Sequence, residues 1–137
     1  MTRLDSFSKT DVEIIDKQTV YQGFFKMNAY QIRHALFEGG TSKVLRREIF
    51  ERGHAVAVLP YDPVLDEFVM IQQFRLGAMD TCDNPWLLEV IAGVIDEGEL
   101  PEDVARREAI EEAELTITHL HEALSYLSSP GGTTERI

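Results

Sequence analysis

The sequence lacks three features, and each absence excludes a class of protein. Cys82 is the only cysteine among the 137 residues, so no intrachain disulfide can form and a reducing compartment is favoured. No apolar run approaches the roughly 20 residues that a membrane-spanning helix needs. The start of the chain, MTRLDSFSK, is too polar for a signal peptide. We therefore expect a cytoplasmic protein that does not enter a membrane.

Positive charge is also scarce. Only 13 Lys and Arg residues accompany 24 Asp and Glu residues, and the formal net charge is −11. Nucleic acids and anionic membranes attract clusters of Lys and Arg, so we expect neither as a partner. An acidic surface that holds cations fits this charge. An acidic surface that serves only solubility fits it equally well.

The apolar pattern predicts an α/β (α+β) domain with one hydrophobic core, which suits a chain of this length. A helix is expected from Pro101, a residue that favours the first helical position. The segment SSPGG is expected to form a turn or loop. Residues 54–59 read as a strand covered on both faces, and residues 68–74 as the return arm of a hairpin. The expected strands are 12–15, 25–30, 44–50, 54–59, 68–74, 86–92 and 120–127.

Residues 93–115, GVIDEGELPEDVARREAIEEAEL, contain most of the unusual chemistry. On a helix, Glu108, Glu111 and Glu112 fall within an arc of roughly 100°. Carboxylate oxygens are hard ligands that suit Mg²⁺, Mn²⁺ or Ca²⁺. The alternative is an acidic helix face that is simply solvated. A different arc carries the apolar positions that can pack on a sheet: Ala105, Ala109, Ile110 and Ala113.

The same stretch resembles the Nudix box, a spaced pattern of glycine, arginine and glutamates. The matching residues are Gly93, Glu99, Arg107, Glu108, Ala109, Glu111, Glu112 and Leu115. The sequence departs from the pattern at Glu114, where the family has glycine. That glycine would end the helix in a left-handed turn, so a glutamate there costs about 1 kcal/mol.

Other segments are similar to the ADP-ribose pyrophosphatase branch of this family. They are RREIFERGHAVAVLPYDP, QQFR, PWLLEVIAG, and SSPGGTTER with Pro130. The resemblance implies a Nudix-type mixed β-sheet with the box helix packed on it, preceded by a small N-terminal antiparallel β segment. It implies two parts: residues 1–50, which exchange between subunits of a homodimer, and residues 51–137, the catalytic domain. Family members continue with a further C-terminal third that carries the general-base loop, so we expect the catalytic domain to be incomplete.

The resemblance also implies an activity, which is metal-dependent hydrolysis of the pyrophosphate bond of ADP-ribose to AMP and ribose 5-phosphate. The metal, Mg²⁺ or Mn²⁺, would be held by Glu108, Glu112 and the backbone carbonyl of Ala92. The implied catalytic residues are Glu111, as a substitute base, and Arg107 with Glu99. The implied substrate-binding residues are Arg75, Phe24 and, from the partner subunit of the homodimer, Arg47 and Glu48.

Several alternatives stay open at this point. The substrate could be another nucleoside diphosphate sugar, because the box is shared among enzymes for those substrates. The chain could be a truncated domain that binds a nucleotide or a metal without catalysis. An acidic interaction module would require the box to be a coincidence. Phe24 could be a strand aromatic that faces the core, and Arg47 a solvated surface charge.

Overall fold

The computed structural model describes residues 7–137. The polar start Met1–Ser6 of the expected N-terminal segment lies outside the described residues. The chain divides into two compact units, of which the first holds the residues up to Arg52 together with Leu127–Glu135. The second unit holds Gly53–Tyr126 and Arg136–Ile137. The division that we expected between residues 50 and 51, with exchange between subunits, stays a prediction.

The first unit is a three-stranded antiparallel sheet in the order β1-β2-β3. The strands are β1 (Val12–Gln22), β2 (Lys26–His34) and β3 (Leu45–Glu51), and a short 3-10 helix, Lys9–Asp11, precedes them. Ser8 and Asp11 form a capping box at that helix. The Ser8 side chain accepts a backbone N–H of the first turn, and the Asp11 side chain accepts the backbone N–H of Ser8. The segment Leu127–Glu135 joins β3 through an isolated parallel bridge between Phe50 and Thr133.

The second unit combines three antiparallel strand pairs with one α-helix and a short 3-10 helix, Leu76–Ala78. Its elements are β4 (His54–Val58), β5 (Tyr61–Asp62), β6 (Glu67–Phe68), β7 (Ile71–Phe74), β8 (Trp86–Glu89), β9 (Ile91–Ile95) and α1 (Pro101–Ala113). The pairs are β4 with β9, β5 with β6, and β7 with β8. Helix α1 packs on β9 and β4. Its buried face consists of Val104, Ala105 and Ala109, and the neighbouring Ile91 of β9 is also fully buried.

Helix α1 begins and ends where the sequence indicates. Pro101 takes the first helical position, Leu100 makes no side-chain cap, and acidic residues lie in the first turn. The helix ends at Ala113, and the following residue, Glu114, caps it in the left-handed conformation with φ of 55°. A Cβ atom is unfavourable in that conformation, so this position carries the strain that the missing glycine predicted.

The predicted fold class is confirmed: an α/β arrangement of antiparallel strands with the acidic helix packed on them. No helix within residues 7–137 is long and apolar enough to cross a membrane.

The strand predictions need four corrections. Strands β1 and β2 extend beyond the predicted segments 12–15 and 25–30, because they pair with each other as far as Gln22 and His34. The segment 120–127 forms no strand. Its strand-like contacts lie at its end, where Tyr126 and Ile137 exchange two backbone hydrogen bonds and Leu127 takes part in an isolated bridge. A strand needs a neighbour for its successive N–H and C=O groups, and apolar content alone does not supply one. The segment 68–74 divides between β6 and β7, because β6 pairs with β5 whereas β7 pairs with β8. The segment 86–92 divides at Val90, because β8 and β9 also have different partners.

Two burial predictions were wrong. Strand β4 is not covered on both faces, because Ala57 is exposed and Leu59, just beyond it, is 46% exposed. Ile110 does not pack on the sheet but is 56% exposed. It lies on the flank of α1, beside the buried stripe that starts with the fully buried Val104.

Candidate active site

Glu108 and β9 approach each other closely at Gly93. A Cβ atom built on Gly93 would lie 2.3 Å from both Cγ and Oε1 of Glu108. Such a separation is impossible for real atoms, so only glycine admits the Glu108 side chain at this place. That side chain is mostly buried, with 14% exposed. The glycine that begins the acidic stretch therefore makes room for one of its carboxylates.

Glu112 follows one turn later and contacts the preceding residue of the same strand. Its Oε2 accepts the backbone N–H of Ala92 at 3.3 Å. Its Oε1 accepts the side-chain Nε2–H of Gln73, on β7, at 2.6 Å. Glu108 and Glu112 thus meet β9 at neighbouring residues, and their carboxylates lie on one side of α1.

Arg107 contacts three carboxylates. Its Nη1 donates to Glu108 at 2.6 Å and lies 3.6 Å from Glu111, while its Nη2 donates to Glu99 at 3.5 Å. Desolvation would lower the pKa of Arg107, but the charges of Glu108, Glu99 and Glu111 outweigh it and the pKa is raised. The guanidinium therefore stays charged and offsets part of the repulsion among the glutamates.

The loop before α1 brings Glu99 to this position. Gly98 adopts a positive φ of 88°, which glycine allows without strain. Glu99 Oε2 then accepts the backbone N–H of Asp96 at 3.0 Å. The structure therefore places Glu99, Arg107, Glu108 and Glu111 in one cluster.

Arg75 follows β7 directly and forms a bidentate ion pair with Glu89 of β8. Its Nε donates at 2.9 Å and its Nη2 at 2.6 Å. The hydrogen bonds to Glu89 raise the pKa of Arg75, and the same bonds lower the pKa of Glu89. Glu112 also raises the pKa of Arg75 through its charge. Arg75 is thus held in place on the side of the unit that carries Glu112.

The three remaining predicted residues lie in the first unit. Phe24 occupies the turn between β1 and β2 and is 95% exposed, so the alternative that it faces the core is wrong. Its ring packs edge-on against Phe25, with centroids 4.8 Å apart. Arg47 donates to the carbonyl of Arg46 at 3.0 Å, and Glu48 forms an ion pair with Arg46.

Arg47 also lines a cavity of about 370 Å³ within the first unit. One wall comes from the sheet, where Tyr30 and Arg47 are direct neighbours on β2 and β3. The other wall comes from the loop Pro130–Thr134. The loop is fixed at Thr134, whose hydroxyl donates to Glu51 at 2.6 Å.

The glutamates of α1 have the chemistry of a divalent cation site. Two carboxylates meet β9 at adjacent residues, and the space for Glu108 exists only because Gly93 has no side chain. Oxygen donors of this kind suit Mg²⁺ and Mn²⁺. Among residues 7–137, no three His, Cys, Asp or Glu side chains already converge in a metal-ligating arrangement. The donor set fits a divalent ion, and the ligand roles of Ala92, Glu108 and Glu112 stay predictions.

Sequence reasoning missed two residues of this region, Gln73 and Glu89. Gln73 lies two positions before Arg75, and the two-residue period of a strand puts both on one face. Glu89 is the only charged residue in WLLEVIA, and a charge in such a run needs a partner. Both signals were present, but the partners depend on how β7, β8 and α1 pack together.

Comparison with known proteins identifies relatives of both units. Residues 51–136 match the family model described as NUDIX domain. The chain is 59% identical over 131 residues to the ADP-ribose pyrophosphatase of Escherichia coli strain K12, covering 96% of this chain and 63% of that protein. It is 46% identical over 140 residues to the ADP-ribose pyrophosphatase of Haemophilus influenzae, covering 100% of this chain and 64% of that protein.

A solved structure described as an ADP compounds hydrolase shares the fold, with a TM-score of 0.72. Its sequence identity is 21%, and the match covers 96% of this chain and 66% of that one. An identity this low supports the fold alone. The chain spans somewhat less than two thirds of the length of the two ADP-ribose pyrophosphatases that it matches.

Proposed function

This chain belongs to the Nudix family, and from that premise we propose that it is an ADP-ribose diphosphatase, which hydrolyses the pyrophosphate bond of ADP-ribose to AMP and ribose 5-phosphate. One observation carries the proposal. Glu108 and Glu112 reach neighbouring residues of β9, at Gly93 and Ala92, on the buried side of one acidic helix. The names of the relatives from Escherichia coli and Haemophilus influenzae support the choice of substrate.

Glu108 and Glu112, together with the backbone carbonyl of Ala92, would hold a divalent cation, Mg²⁺ or Mn²⁺. Such an ion supplies charge neutralisation for the phosphates and acidifies a bound water. The carboxylates are pre-oriented, Glu108 by Arg107 at 2.6 Å and Glu112 by the Ala92 N–H at 3.3 Å. The acidic helix face, which repels an anionic substrate by itself, becomes a site for a diphosphate once cations are bound.

In this proposal Arg75 binds the substrate, whereas Arg107 orients carboxylates of the metal site. Arg75 uses Nε and Nη2 on Glu89, and its other N–H groups remain for phosphate oxygens of the substrate. Arg107 keeps Glu99 and Glu108 in place and reduces repulsion among the carboxylates. Glu111 is the proposed base, because its side chain is 59% exposed and can accept a proton from water.

The first unit would contribute to substrate binding in a homodimer. Arg47 and Glu48 would contact the substrate of the partner subunit, and the exposed ring of Phe24 offers a surface on which adenine can stack. A cytoplasmic location fits the single exposed Cys82, which a reducing compartment keeps as a thiol.

Hydrolysis of ADP-ribose in the presence of Mg²⁺ or Mn²⁺ tests the proposal, with AMP quantified by chromatography. Glu112→Gln should reduce the rate by at least about a hundredfold, because it removes a metal-binding charge. Glu102→Gln, an exposed glutamate in the first turn of the same helix, is the matched control and should leave the rate unchanged. Equal rates in wild type and Glu112→Gln would reject the metal role.

Two other outcomes would favour the alternatives. Faster hydrolysis of a different nucleoside diphosphate sugar in a substrate panel would change the substrate. Tight ADP-ribose binding without release of AMP would identify a binding domain without catalysis. The oligomeric state follows from sedimentation of the same sample, in which a monomer would exclude the proposed contribution of Arg47 and Glu48 across subunits.

A further inference from the structure

Gln73 connects strand β7 to the acidic helix through one short hydrogen bond. Its Nε2 donates to Oε1 of Glu112 at 2.6 Å, although the two residues are 39 positions apart in the sequence. The bond is partly buried. It therefore depends on the packing of the second unit, and water competes for it only in part.

The two oxygens of Glu112 are held from two different elements. Oε1 accepts from the Gln73 amide, and Oε2 accepts from the backbone N–H of Ala92 on β9. A carboxylate with one donor on each oxygen cannot rotate freely about its terminal torsion. Each oxygen has a further lone pair that a cation can use. This arrangement fixes the direction of Glu112 before any ligand arrives.

The chemistry of the donor matters. Glu108 is held by the charged guanidinium of Arg107, whereas Glu112 is held by a neutral amide. A neutral donor orients a carboxylate and leaves its full negative charge available to a cation. A lysine or arginine at position 73 would instead compete with that cation for the charge.

We propose that Gln73 is a positioning residue that orients Glu112 for a divalent cation without neutralising it. This inference rests on the proposed function, in which Glu112 is a metal ligand. Groups that orient a metal ligand in this way typically change metal affinity by 10-fold to 100-fold when they are removed. Neither the relatives nor the box pattern assigns this role to residue 73.

The test measures Mn²⁺ affinity of the whole chain by titration, with free Mn²⁺ followed by electron paramagnetic resonance. Gln73→Met keeps the length of the side chain and removes the donor, and its dissociation constant should rise by about tenfold. Gln72→Met is the matched control. Gln72 is the exposed neighbour that donates to the carbonyl of Trp86 at 3.1 Å, so its replacement should leave Mn²⁺ affinity unchanged.

A double-mutant cycle separates positioning from general stability. In the Glu112→Gln background the carboxylate to be oriented is absent, so adding Gln73→Met should weaken Mn²⁺ binding no further. A purely structural role would lower affinity in both backgrounds. If Gln73→Met does not fold, Gln73→Asn provides the same test, because its amide is one methylene too short to reach Glu112 and should also weaken Mn²⁺ binding.

The outcomes distinguish this inference from the proposed function. If the wild type takes up Mn²⁺ and either Gln73 variant binds it equally well, the positioning role is rejected and the metal site stands. If the wild type takes up no Mn²⁺, the proposed function fails and the inference fails with it.

Discussion

The Glu108 side chain fills the space beside Gly93 that a Cβ atom would otherwise take, because a Cβ atom on Gly93 would lie 2.3 Å from the Glu108 Oε1 atom. Glycine is therefore required at position 93 because it has no side chain, and not because the backbone there adopts a positive φ. It allows a charged side chain to lie directly on a strand backbone. This contact links the first residue of the box to the carboxylate that we propose as a metal ligand.

The first prediction concerns Gly93→Ala. The new methyl group must displace the Glu108 side chain, and overpacking of this kind costs about 1–3 kcal/mol. We expect the free energy of unfolding to fall by that amount, and Mn²⁺ affinity to fall by at least about tenfold. Urea denaturation and Mn²⁺ titration measure the two effects.

Gly77→Ala is the control for this substitution. A Cβ atom on Gly77 would meet no atom within 4 Å, so the variant should keep both stability and Mn²⁺ affinity. If Gly93→Ala also kept Mn²⁺ affinity, Glu108 would not be needed where the structure places it.

The second prediction concerns the end of α1, where Glu114 adopts a φ of 55°. Glycine in this conformation avoids the clash of Cβ with the backbone, so Glu114→Gly should stabilise the protein by about 1 kcal/mol. Glu114→Ala removes the same charge but keeps the Cβ atom, and it should stabilise less than glycine does. Urea denaturation of both variants measures the difference, and equal stabilities would show that the charge, not the backbone, is unfavourable.

The local features of this protein could be predicted from its sequence, whereas contacts between distant residues could not. Pro101 and the left-handed position at Glu114 gave the limits of α1, and helical periodicity placed Glu108 and Glu112 on one side. The bonds Gln73–Glu112 and Arg75–Glu89 join residues 39 and 14 positions apart. They depend on strand register, such as the pairing of Phe74 with Trp86, which no local pattern specifies.

The same reason explains the failed strand predictions. Segments 68–74 and 86–92 are each mostly apolar and contain no proline or glycine. Each nevertheless divides, because its two parts pair with different strands. The segment 120–127 has similar composition but lacks a partner strand in the described part of the chain. Composition predicts the tendency to extend, and the partner decides whether a strand forms.

The third prediction concerns pH and the pair Arg75–Glu89. The hydrogen bonds from Arg75 lower the pKa of Glu89 below its ordinary value of 4.5. The pair therefore contributes its full stability above pH 4.5, and this contribution is lost as the pH falls through the lowered pKa. We expect urea denaturation to show a decrease of stability with acid that is smaller in Glu89→Gln, because that variant has no carboxylate to protonate. Glu97→Gln, at an exposed loop position, should keep the wild-type slope, and a Glu89→Gln profile parallel to wild type would contradict the prediction.

The fourth prediction concerns Asn28, a polar residue with 1% exposure in the first unit. Its Oδ1 accepts the Thr19 hydroxyl at 2.8 Å, and its Nδ2 donates to Glu51 at 3.1 Å. Burial would raise the pKa of Glu51, but hydrogen bonds from Thr134 and Asn28 outweigh it and lower the pKa. Glu51 is therefore ionised at neutral pH and needs a donor at position 28.

Asn28→Asp replaces that donor with a second carboxylate of nearly the same shape. An uncompensated buried charge of this kind typically destabilises a protein by about 3–5 kcal/mol, and we expect a loss in that range in urea denaturation at neutral pH. Asn84→Asp is the matched control, because exposed Asn84 uses only its Oδ1, which accepts the Trp86 N–H at 3.0 Å, and aspartate keeps that acceptor. The control should stay close to wild type. If Asn28→Asp were as stable as Asn84→Asp, the prediction would be contradicted, because Glu51 would not depend on the amide of Asn28. The hydrogen bond from Thr134 to Glu51 would then fix the loop at the cavity beside Arg47 without help from Asn28.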